Sequence, residues 1–243
     1  MRPLSSWQVP RPVVGVFTDI DDTLTTDGAI TPDALQAMAD LKAAGLHVVP
    51  ITGRPVGWSE PFAARWPVDA IVAENGAVGL QYSAAKGLRK LYQQDQAIRS
   101  VHFARMQQVL VHIECTVPGA SRSQDSGGRE TDIAIDHSEF TQLPQSAIDA
   151  VVDHMQTEGM TTTVSSIHIN GWFGEHSKLT GARWIVRELW GRDLDAEIDR
   201  WVYVGDSTND QLMFAHFPHS IGVANIRRFE AQLTHPPRYI TPT

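Results

Sequence analysis

Two aspartates separated by one residue follow an apolar, β-branched segment near the start of the chain. Asp19 and Asp21 come shortly after the sequence VVGVF, which is typical of a buried strand. In an extended backbone, residues two apart project to the same side, so the two carboxylates would lie close together. Like charges at that distance repel each other, so such a pair persists where a cation or a shared proton compensates. The pair therefore indicates a cation-binding or acid–base site.

A second acidic pair follows another apolar strand far along the chain. Asp206 and Asp210 lie in the segment GDSTND, directly after the strand-like sequence WVYV. A parallel sheet would bring this turn beside the first one, so that four carboxylates converge. Oxygen ligands suit a hard divalent cation, and Mg²⁺ commonly binds through one or two carboxylates while it bridges to phosphate. The pattern therefore predicts Mg²⁺ as a cofactor.

Two further polar residues are placed where they could contact a phosphate group. Thr52 ends the strand-like sequence LHVVPIT and offers a hydroxyl donor. Lys178 stands just before the helix-like segment that begins at Leu179, where an ammonium group and a helix N-terminus can face the same anion. Phosphoryl transfer depends mainly on positioning and on stabilising the charge of the phosphate oxygens. We therefore predict that Thr52 and Lys178 bind phosphate beside the acidic cluster.

Alternating strands and helices must position these residues. Between the first two strands, Thr31 as N-cap, Pro32 at the first helical position and Gly45 as the stop predict a short amphipathic helix. Strands connected in this way are parallel and joined by a right-handed crossover, which brings the turns after the strands to one edge of the sheet. The segment DAIVAENGA predicts a third such strand. The fold class that follows is α/β, with a doubly wound, Rossmann-like parallel sheet.

The alternating pattern is interrupted in the middle of the chain. Residues 82–168 predict a hairpin-like segment, two helices and several strands, which together suggest an inserted α+β cap domain. The catalytic core would then consist of residues 1–81 and 169–243. Within the cap, the sequence SRSQDSGGR is rich in Gly and Ser and predicts a flexible surface loop. His168 and Asn170 lie on the strand that returns from the cap to the core, so they are further candidates to face the site.

Composition limits the possible partners. The 243 residues carry a formal net charge of −8, which gives no long-range attraction for nucleic acid or for an anionic membrane. The N-terminal stretch lacks the apolar run of a signal peptide, and no membrane-length apolar run follows. The single cysteine, Cys115, excludes an internal disulfide and is expected to be a buried free thiol in a reducing cytoplasm. We predict a cytoplasmic protein that acts on a small phosphorylated metabolite, while its oligomeric state is not indicated.

In order and position, these motifs resemble those of the haloacid dehalogenase superfamily of phosphatases. Its first motif, DxDxT, matches Asp19, Asp21 and Thr23, and its second matches Thr52 within ITGR. Its third motif matches Lys178, and its fourth matches GDSTND. The insertion between the second and third motifs looks like the type IIB α/β cap of Cof-type, sucrose-phosphate and mannosyl-3-phosphoglycerate phosphatases. The resemblance spans the whole core, whereas the cap matches in position and rough pattern.

The resemblance implies a role for each matching residue. Asp19 would be the nucleophile that attacks phosphorus, and Asp21 would protonate the leaving group and then activate water. Thr52 and Lys178 would hold the phosphate. The metal would bind the carboxylates of Asp19 and Asp206 and the backbone carbonyl of Asp21. The remaining implied residues are the supporting Asn209 and Asp210 and, in turns that face the substrate, Arg54 and Asn75.

Three functions remain open on the sequence. The first is a Mg²⁺-dependent phosphatase that hydrolyses a sugar phosphate or a glycosyl-phosphoglycerate through a phosphoaspartate. The second is a phosphosugar mutase of the same fold, which would need cations in the cap to hold a second phosphate. The third is a non-catalytic phosphometabolite-binding module, whose expected sign is the loss of Asp19 or Asp21, and both are present. The candidate cap cations are Arg99, Arg105, Arg122 and Arg129.

Overall fold

Strands and helices alternate through the two ends of the chain and enclose a different pattern in the middle. The computed structural model describes residues 1–8 and 11–242. The strands are β1 (Arg2–Pro3), β2 (Gly15–Thr18), β3 (Thr25–Thr26), β4 (Ala29–Ile30), β5 (His47–Pro50), β6 (Ile71–Ala73), β7 (Val78–Ser83), β8 (Gly87–Tyr92), β9 (Ser121–Arg122), β10 (Ile133–Asp136), β11 (Thr161–Val164), β12 (His168–Trp172), β13 (Trp201–Gly205), β14 (His219–Gly222) and β15 (Tyr239–Ile240).

The helices pack against the sheets. The α-helices are α1 (Pro32–Ala43), α2 (Val56–Arg65), α3 (Gln96–Thr116), α4 (Gln145–Thr157), α5 (Lys178–Trp190) and α6 (Gln211–His216). Short 3-10 helices occupy Leu4–Ser6, Glu74–Gly76, Gln124–Gly128, Asp195–Arg200, Thr208–Asp210 and Ala224–Gln232. Within the described part of the chain, no helix combines the length and the apolar character needed to cross a membrane.

The central sheet contains six parallel strands in the order β1-β15-β14-β13-β2-β5. Strand β2 lies between β5, which follows it in the core, and β13, which comes much later, so the direction of strand addition reverses at β2. Ile51, just beyond β5, pairs in parallel with Val72 of β6, so β6 adjoins the sheet at its edge. Ligands of such folds bind beyond the carboxyl ends of the strands, at the reversal. The residues after β2, β5 and β13 therefore face one crevice.

Alternate residues of β2 pack on opposite faces of this sheet. Phe17 belongs to an apolar cluster with Ile185 of α5, whereas Val16 packs on the other face with Val202 and with Leu41 of α1. Burial on both faces explains the nearly continuous apolar sequence of these strands. A parallel sheet covered on both faces by helices is the doubly wound α/β fold that the sequence predicts, and this prediction is confirmed.

Helix α1 begins and ends where the sequence predicts. The Oγ1 of Thr31 accepts a hydrogen bond from the backbone N–H of Ala34, and Pro32 occupies the first helical position. The helix ends at Ala43, and Gly45 has a φ of +80°, a left-handed conformation that glycine adopts without strain. The local capping residues therefore mark where this helix begins and ends.

The inserted module contains a four-stranded antiparallel sheet in the order β11-β12-β10-β9. Helices α3 and α4 cover one face, where Ile169 of β12 packs in a cluster with Met106 and Val151. Because side chains alternate along a strand, His168 and Asn170 on either side of Ile169 project from the opposite face. That face is turned toward the carboxyl edge of the central sheet.

Strand pairing indicates where the cap begins and ends. Strands β7 and β8 form a hairpin whose Val78 and Leu80 pack with Val56 of α2, in an apolar cluster of the core. Strand β12 pairs over its whole length, from His168 to Trp172, with strands of the cap. We therefore propose a cap that runs from the start of α3 to the end of β12, in place of residues 82–168.

Two sequence predictions about the cap are wrong. The Gly- and Ser-rich segment SRSQDSGGR is not a flexible surface loop, because its Ser123 and Arg129 are buried and Arg129 donates to the carbonyl of Gly53 in the core. Gly57 of α2 and Gly128 approach so closely that a Cβ on Gly57 would lie 2.9 Å from the Cα of Gly128. Glycine serves here for close packing of two backbones, which composition does not distinguish from flexibility. Cys115, which was expected to be buried, is exposed near the end of α3.

Candidate active site

Asp19 lies directly after β2, at the carboxyl edge of the central sheet, and is almost fully buried. Its Oδ1 lies 2.8 Å from the Nζ of Lys178, the first residue of α5. The Oγ of Ser177 accepts a hydrogen bond from the backbone N–H of Thr180, which fixes the start of α5 beside this carboxylate. The fold thus brings the predicted nucleophile and the predicted phosphate-binding lysine into direct contact.

Asp210 is extensively hydrogen-bonded. Its Oδ1 accepts hydrogen bonds from the Nζ of Lys178, at 2.7 Å, and from the hydroxyl of Tyr203. Its Oδ2 accepts from the backbone N–H groups of Asp206, at 3.0 Å, and of Ser207, at 3.2 Å. Because both oxygens are already engaged, Asp210 is suited to hold the turn after β13 and to orient Lys178.

Asp206 differs from Asp210 in having an unused oxygen. Its Oδ2 is buried and has no hydrogen-bond partner among residues 1–8 and 11–242, while its Oδ1 accepts a long hydrogen bond, 3.5 Å, from Thr23. One carboxylate oxygen from each of Asp19, Asp206 and Asp210 lies within 4.8 Å of the other two. A buried carboxylate oxygen without a partner is costly, and a bound divalent cation would compensate it. This all-oxygen donor set fits a hard cation such as Mg²⁺.

Burial and mutual repulsion shift the protonation equilibria of these groups. Burial raises the pKa of Asp19 to about 7, although the adjacent Lys178 lowers it. Burial and the charges of Asp19 and Asp210 raise the pKa of Asp206 to about 9. Burial alone would lower the pKa of Lys178, but the carboxylates of Asp19 and Asp210 raise it overall. One ammonium group does not neutralise three carboxylates, so the cluster favours a further cation.

A single guanidinium group joins Asp21 to the cap. The Nε of Arg54 donates to both carboxylate oxygens of Asp21, at 3.0 and 3.1 Å. Its Nη1 lies 3.3 Å from Asp125, and its Nη2 lies 2.8 Å from Glu139. Burial would lower the pKa of Arg54, but the carboxylates of Asp21 and Glu139 raise it overall. Both cap carboxylates therefore help to hold the guanidinium group that orients Asp21.

A small cavity lies between the carboxyl edge of the sheet and the cap. The core contributes Asp19, Asp21, Thr52 and Asn209 to its wall. The Oγ1 of Thr52 accepts a hydrogen bond from the backbone N–H of Arg54 at 3.0 Å, which ties the end of this strand to the following turn. The cap contributes Ser165, Ser166, Ile167, His168 and Asn170. A phosphate bound near Asp19 would therefore leave the rest of its ester facing the cap.

The sequence of residues 16–117 matches the family model of haloacid dehalogenase-like hydrolases. The resemblance to this hydrolase family is confirmed. No curated protein matches the chain in sequence. The match covers the segment that carries Asp19, Asp21 and Thr52, and it supports the prediction that the chain is an enzyme, a hydrolase of this type.

Several solved structures match nearly the whole fold. A HAD/COF-like hydrolase from Plasmodium vivax has a TM-score of 0.68 at 18% identity, over 96% of this chain and 90% of that chain. The sucrose-phosphatase from Synechocystis sp. PCC6803, solved with sucrose and phosphate, has a TM-score of 0.64 at 14% identity, over 96% of this chain and 93% of that chain. A HAD subclass IIB sugar phosphatase has a TM-score of 0.64 at 14% identity, over 95% and 94%. At these identities the likeness establishes the fold, a core with a cap.

The ENGA turn contacts the cap. Asn75 is buried and donates from Nδ2 to Asp132 at 3.4 Å, and it is not among the described residues of the cavity wall. Glu74 is fully buried and accepts hydrogen bonds from the backbone N–H groups of Val56 and Thr131. Burial, reinforced by the charge of Asp132, raises the pKa of Glu74 to about 7. This turn therefore docks the cap onto the core.

Sequence reasoning missed the two cap carboxylates that contact Arg54. Asp125 and Glu139 lie 71 and 85 residues away from it along the chain, in segments without a strand or helix period. The sequence offers one indirect signal, which is His168 on the strand that returns to the core. The Nε2 of His168 lies 2.8 Å from Glu139, so the candidate histidine and the missed carboxylate form one contact.

Proposed function

We propose that the chain is a Mg²⁺-dependent phosphatase that hydrolyses the monoester of a small phosphorylated metabolite through a phosphoaspartate on Asp19. The observation that carries this proposal is the 2.8 Å contact between Asp19 and Lys178. It lies beside a buried oxygen of Asp206 that no other described residue satisfies. A nucleophilic carboxylate, an ammonium group and a site for a cation at one sheet edge are the parts that phosphoryl transfer needs.

The side chains would act in two steps. Asp19 would attack phosphorus while the bond to the leaving-group oxygen breaks, and Asp21 would donate a proton to that oxygen. Asp21 would then accept a proton from water, whose oxygen attacks phosphorus and releases phosphate from Asp19. Thr52 and Lys178 would hold the phosphate oxygens. Arg54, predicted to contact the substrate, would act on Asp21 by fixing the direction of its carboxylate.

The residues that would hold Mg²⁺ are the carboxylates of Asp19 and Asp206 and the backbone carbonyl of Asp21. Bound Mg²⁺ would offset the negative charge of the phosphate oxygens. Asn209 and Asp210 would support this site from behind. The Oδ1 of Asn209 accepts a hydrogen bond from Ser207 at 2.8 Å, and Asp210 accepts one from the N–H of Asp206. Both contacts stabilise the turn that carries Asp206.

A phosphorylated sugar is the substrate class that the comparisons support. The Synechocystis sucrose-phosphatase, solved with sucrose and phosphate, and the subclass IIB sugar phosphatase share this fold. A sugar phosphate or a glycosyl-phosphoglycerate would fit the proposal.

The chain has one cysteine, which is exposed as a free thiol, and this is compatible with a reducing cytoplasm.

The placement of the cap arginines favours hydrolysis over the phosphosugar mutase. A mutase would need a cap cation at the cavity to hold a second phosphate, and each of the four candidates is engaged elsewhere. The contacts are Arg99 with the ring of Tyr92, Arg105 with Glu158, Arg122 with Glu114, and Arg129 with Asp125 and Asp132. None of the four is among the described residues that line the cavity.

Phosphate release from a panel of sugar phosphates and phosphoglycerates tests the proposal. The parent is expected to release phosphate with Mg²⁺ and to lose this activity in EDTA. Asp19→Asn is expected to lower kcat at least about a hundredfold, because it removes the nucleophile. Asp153→Asn, on the exposed side of α4, changes the same functional group and is expected to retain activity. Full activity of Asp19→Asn would overturn the phosphoaspartate mechanism.

A further inference from the structure

The cap side of the cavity offers uncharged groups to a leaving group. With phosphate at Asp19, the remainder of the ester would extend toward the segment from Ser165 to Asn170. Ser166 presents a hydroxyl there, and Asn170 presents an amide whose Nδ2 already donates to Asp132 at 3.0 Å. His168 is held by a carboxylate, that of Glu139. Hydroxyl and amide groups are suited to hydrogen-bond the hydroxyls of a polyol. They provide no compensation for a charged group.

The guanidinium group that lines the cavity already contacts three carboxylates. Arg54 is buried, and its Nε and both Nη atoms all contact carboxylates, those of Asp21, Asp125 and Glu139. A carboxylate or phosphate on the leaving group would compete with these partners, and it would gain a bidentate contact with Arg54 only by displacing one of them. It would then leave a buried carboxylate unpaired, which is costly.

Carboxylates outnumber cations in this part of the molecule. Beside Arg54, the other buried guanidinium group is that of Arg129, which contacts Asp125 at 3.1 Å and Asp132 at 2.8 Å. The two guanidinium groups and the four carboxylates that contact them carry a formal net charge of −2. A second anion would therefore meet repulsion that a neutral group avoids.

We infer that the leaving group of the substrate is uncharged and hydroxyl-rich, and that Asp125 and Glu139 are specificity-determining residues that exclude esters with a second anionic group. The inference rests on the proposed phosphatase function and narrows it. Between the two substrate classes open above, it selects a sugar monophosphate over a glycosyl-phosphoglycerate. Glu139 is central, because it holds Arg54 and His168 on the two sides of the cavity.

Matched pairs of phosphate esters test this charge selection. Sorbitol 6-phosphate and 6-phosphogluconate differ in one terminal group, hydroxymethyl against carboxylate, and glycerol 3-phosphate and 3-phosphoglycerate differ in the same way. Fructose 6-phosphate and fructose 1,6-bisphosphate form a third pair. We expect kcat/KM to favour the neutral member by at least about tenfold in each hydrolysed pair. Equal values within the pairs would overturn the inference and leave the phosphatase proposal standing, whereas no phosphate release from any ester would overturn both.

Charge-neutral variants of the cap test the residues. Glu139→Gln is expected to raise kcat/KM for the anionic member relative to the neutral one by at least about threefold, because it removes one repelling charge. Asp125→Asn is a second variant with the same expectation. Glu114→Gln is the matched control, since Glu114 pairs with Arg122 on the exposed side of the cap and its loss changes the net charge equally. An equal change in the control would attribute the effect to total charge and overturn the assignment to Glu139.

Discussion

Replacing Asp206 by asparagine is expected to stabilise the metal-free protein while it weakens Mg²⁺ binding. One Asp206 oxygen has no partner in the described chain, and the three carboxylates approach within 4.8 Å. Burial and the charges of Asp19 and Asp210 raise the pKa of Asp206 from 3.8 to about 9, so the metal-free folded protein holds this group protonated at pH 7, which costs up to about 4 kcal/mol relative to the unfolded chain. Lys178 offsets part of the repulsion, because its ammonium group contacts Asp19 and Asp210. We therefore expect Asp206→Asn to raise the free energy of unfolding by about 1–3 kcal/mol.

Asp210→Asn is the matched control, because the same change in the same cluster should have the opposite sign. Asp210 accepts hydrogen bonds from Lys178, from Tyr203 and from two backbone N–H groups. Removing one partner of a buried, hydrogen-bonded ion pair costs about 3–5 kcal/mol. The amide would also place an N–H donor where a donor already points. The contrast between the two variants separates a carboxylate that stabilises the fold from one that serves the cation.

Thermal unfolding in EDTA and in Mg²⁺ measures both effects. In a protein of this size, 1 kcal/mol shifts Tm by about 2–4 °C, so Asp206→Asn should unfold about 2–12 °C above the parent in EDTA. Asp210→Asn should unfold about 6–20 °C below it. Mg²⁺ is expected to raise the Tm of the parent and to have little effect on Asp206→Asn. The reasoning is refuted if Asp206→Asn unfolds below the parent in EDTA, or if its Tm rises with Mg²⁺ as much as that of the parent.

Two further predictions concern the contacts around the cap. Gly57→Ala would place a Cβ 2.9 Å from the Cα of Gly128, so urea unfolding should show a free energy of unfolding lower by about 1–3 kcal/mol. Gly127→Ala is the control, because its Cβ would meet no described atom within 4 Å, and it should be nearly neutral. Equal losses in the two variants would contradict the packing argument. The second prediction concerns pH. Burial raises the pKa of Glu74 from 4.5 to about 7, so its contribution to stability falls as pH rises through that range. Burial lowers the pKa of His176 from 6.5 to about 4, so its contribution falls as pH drops from 6.5 to 4. The two effects, each roughly 3 kcal/mol, oppose each other in the parent. Relative to the parent, Glu74→Gln should lose stability on acidification and His176→Phe should gain it, and parallel pH profiles would exclude the assignment.

The convergence of the site residues on one sheet edge could be predicted from sequence. Asp19, Thr52 and Asp206 each follow an apolar strand, and parallel strands joined by crossovers place their carboxyl ends together. The helix beside them was predicted to begin at Leu179, one residue after its observed start at Lys178. These inferences depend on local periodicity and on one topological rule, and both are legible in a single sequence.

The contacts between core and cap could not be predicted. Arg54 binds Asp125 and Glu139, which lie in irregular segments whose spatial position depends on how the whole cap docks. The loop before Arg129 was predicted to be flexible from its glycines, although Gly128 is needed for close packing on Gly57. In both cases the deciding interaction joins residues remote in sequence, and neither composition nor period carries that information.

Arg54 couples the position of the cap to the chemistry of the core. Its guanidinium group fixes the carboxylate of Asp21 with one set of N–H donors and holds Asp125 and Glu139 with the others. If the cap moved away, Arg54 would lose both cap carboxylates, and the group that orients Asp21 would lose its own anchors. The proposed acid–base residue would then be held in its direction most firmly when the cap covers the cavity and excludes water. Closure and proton transfer would thus depend on the same buried side chain.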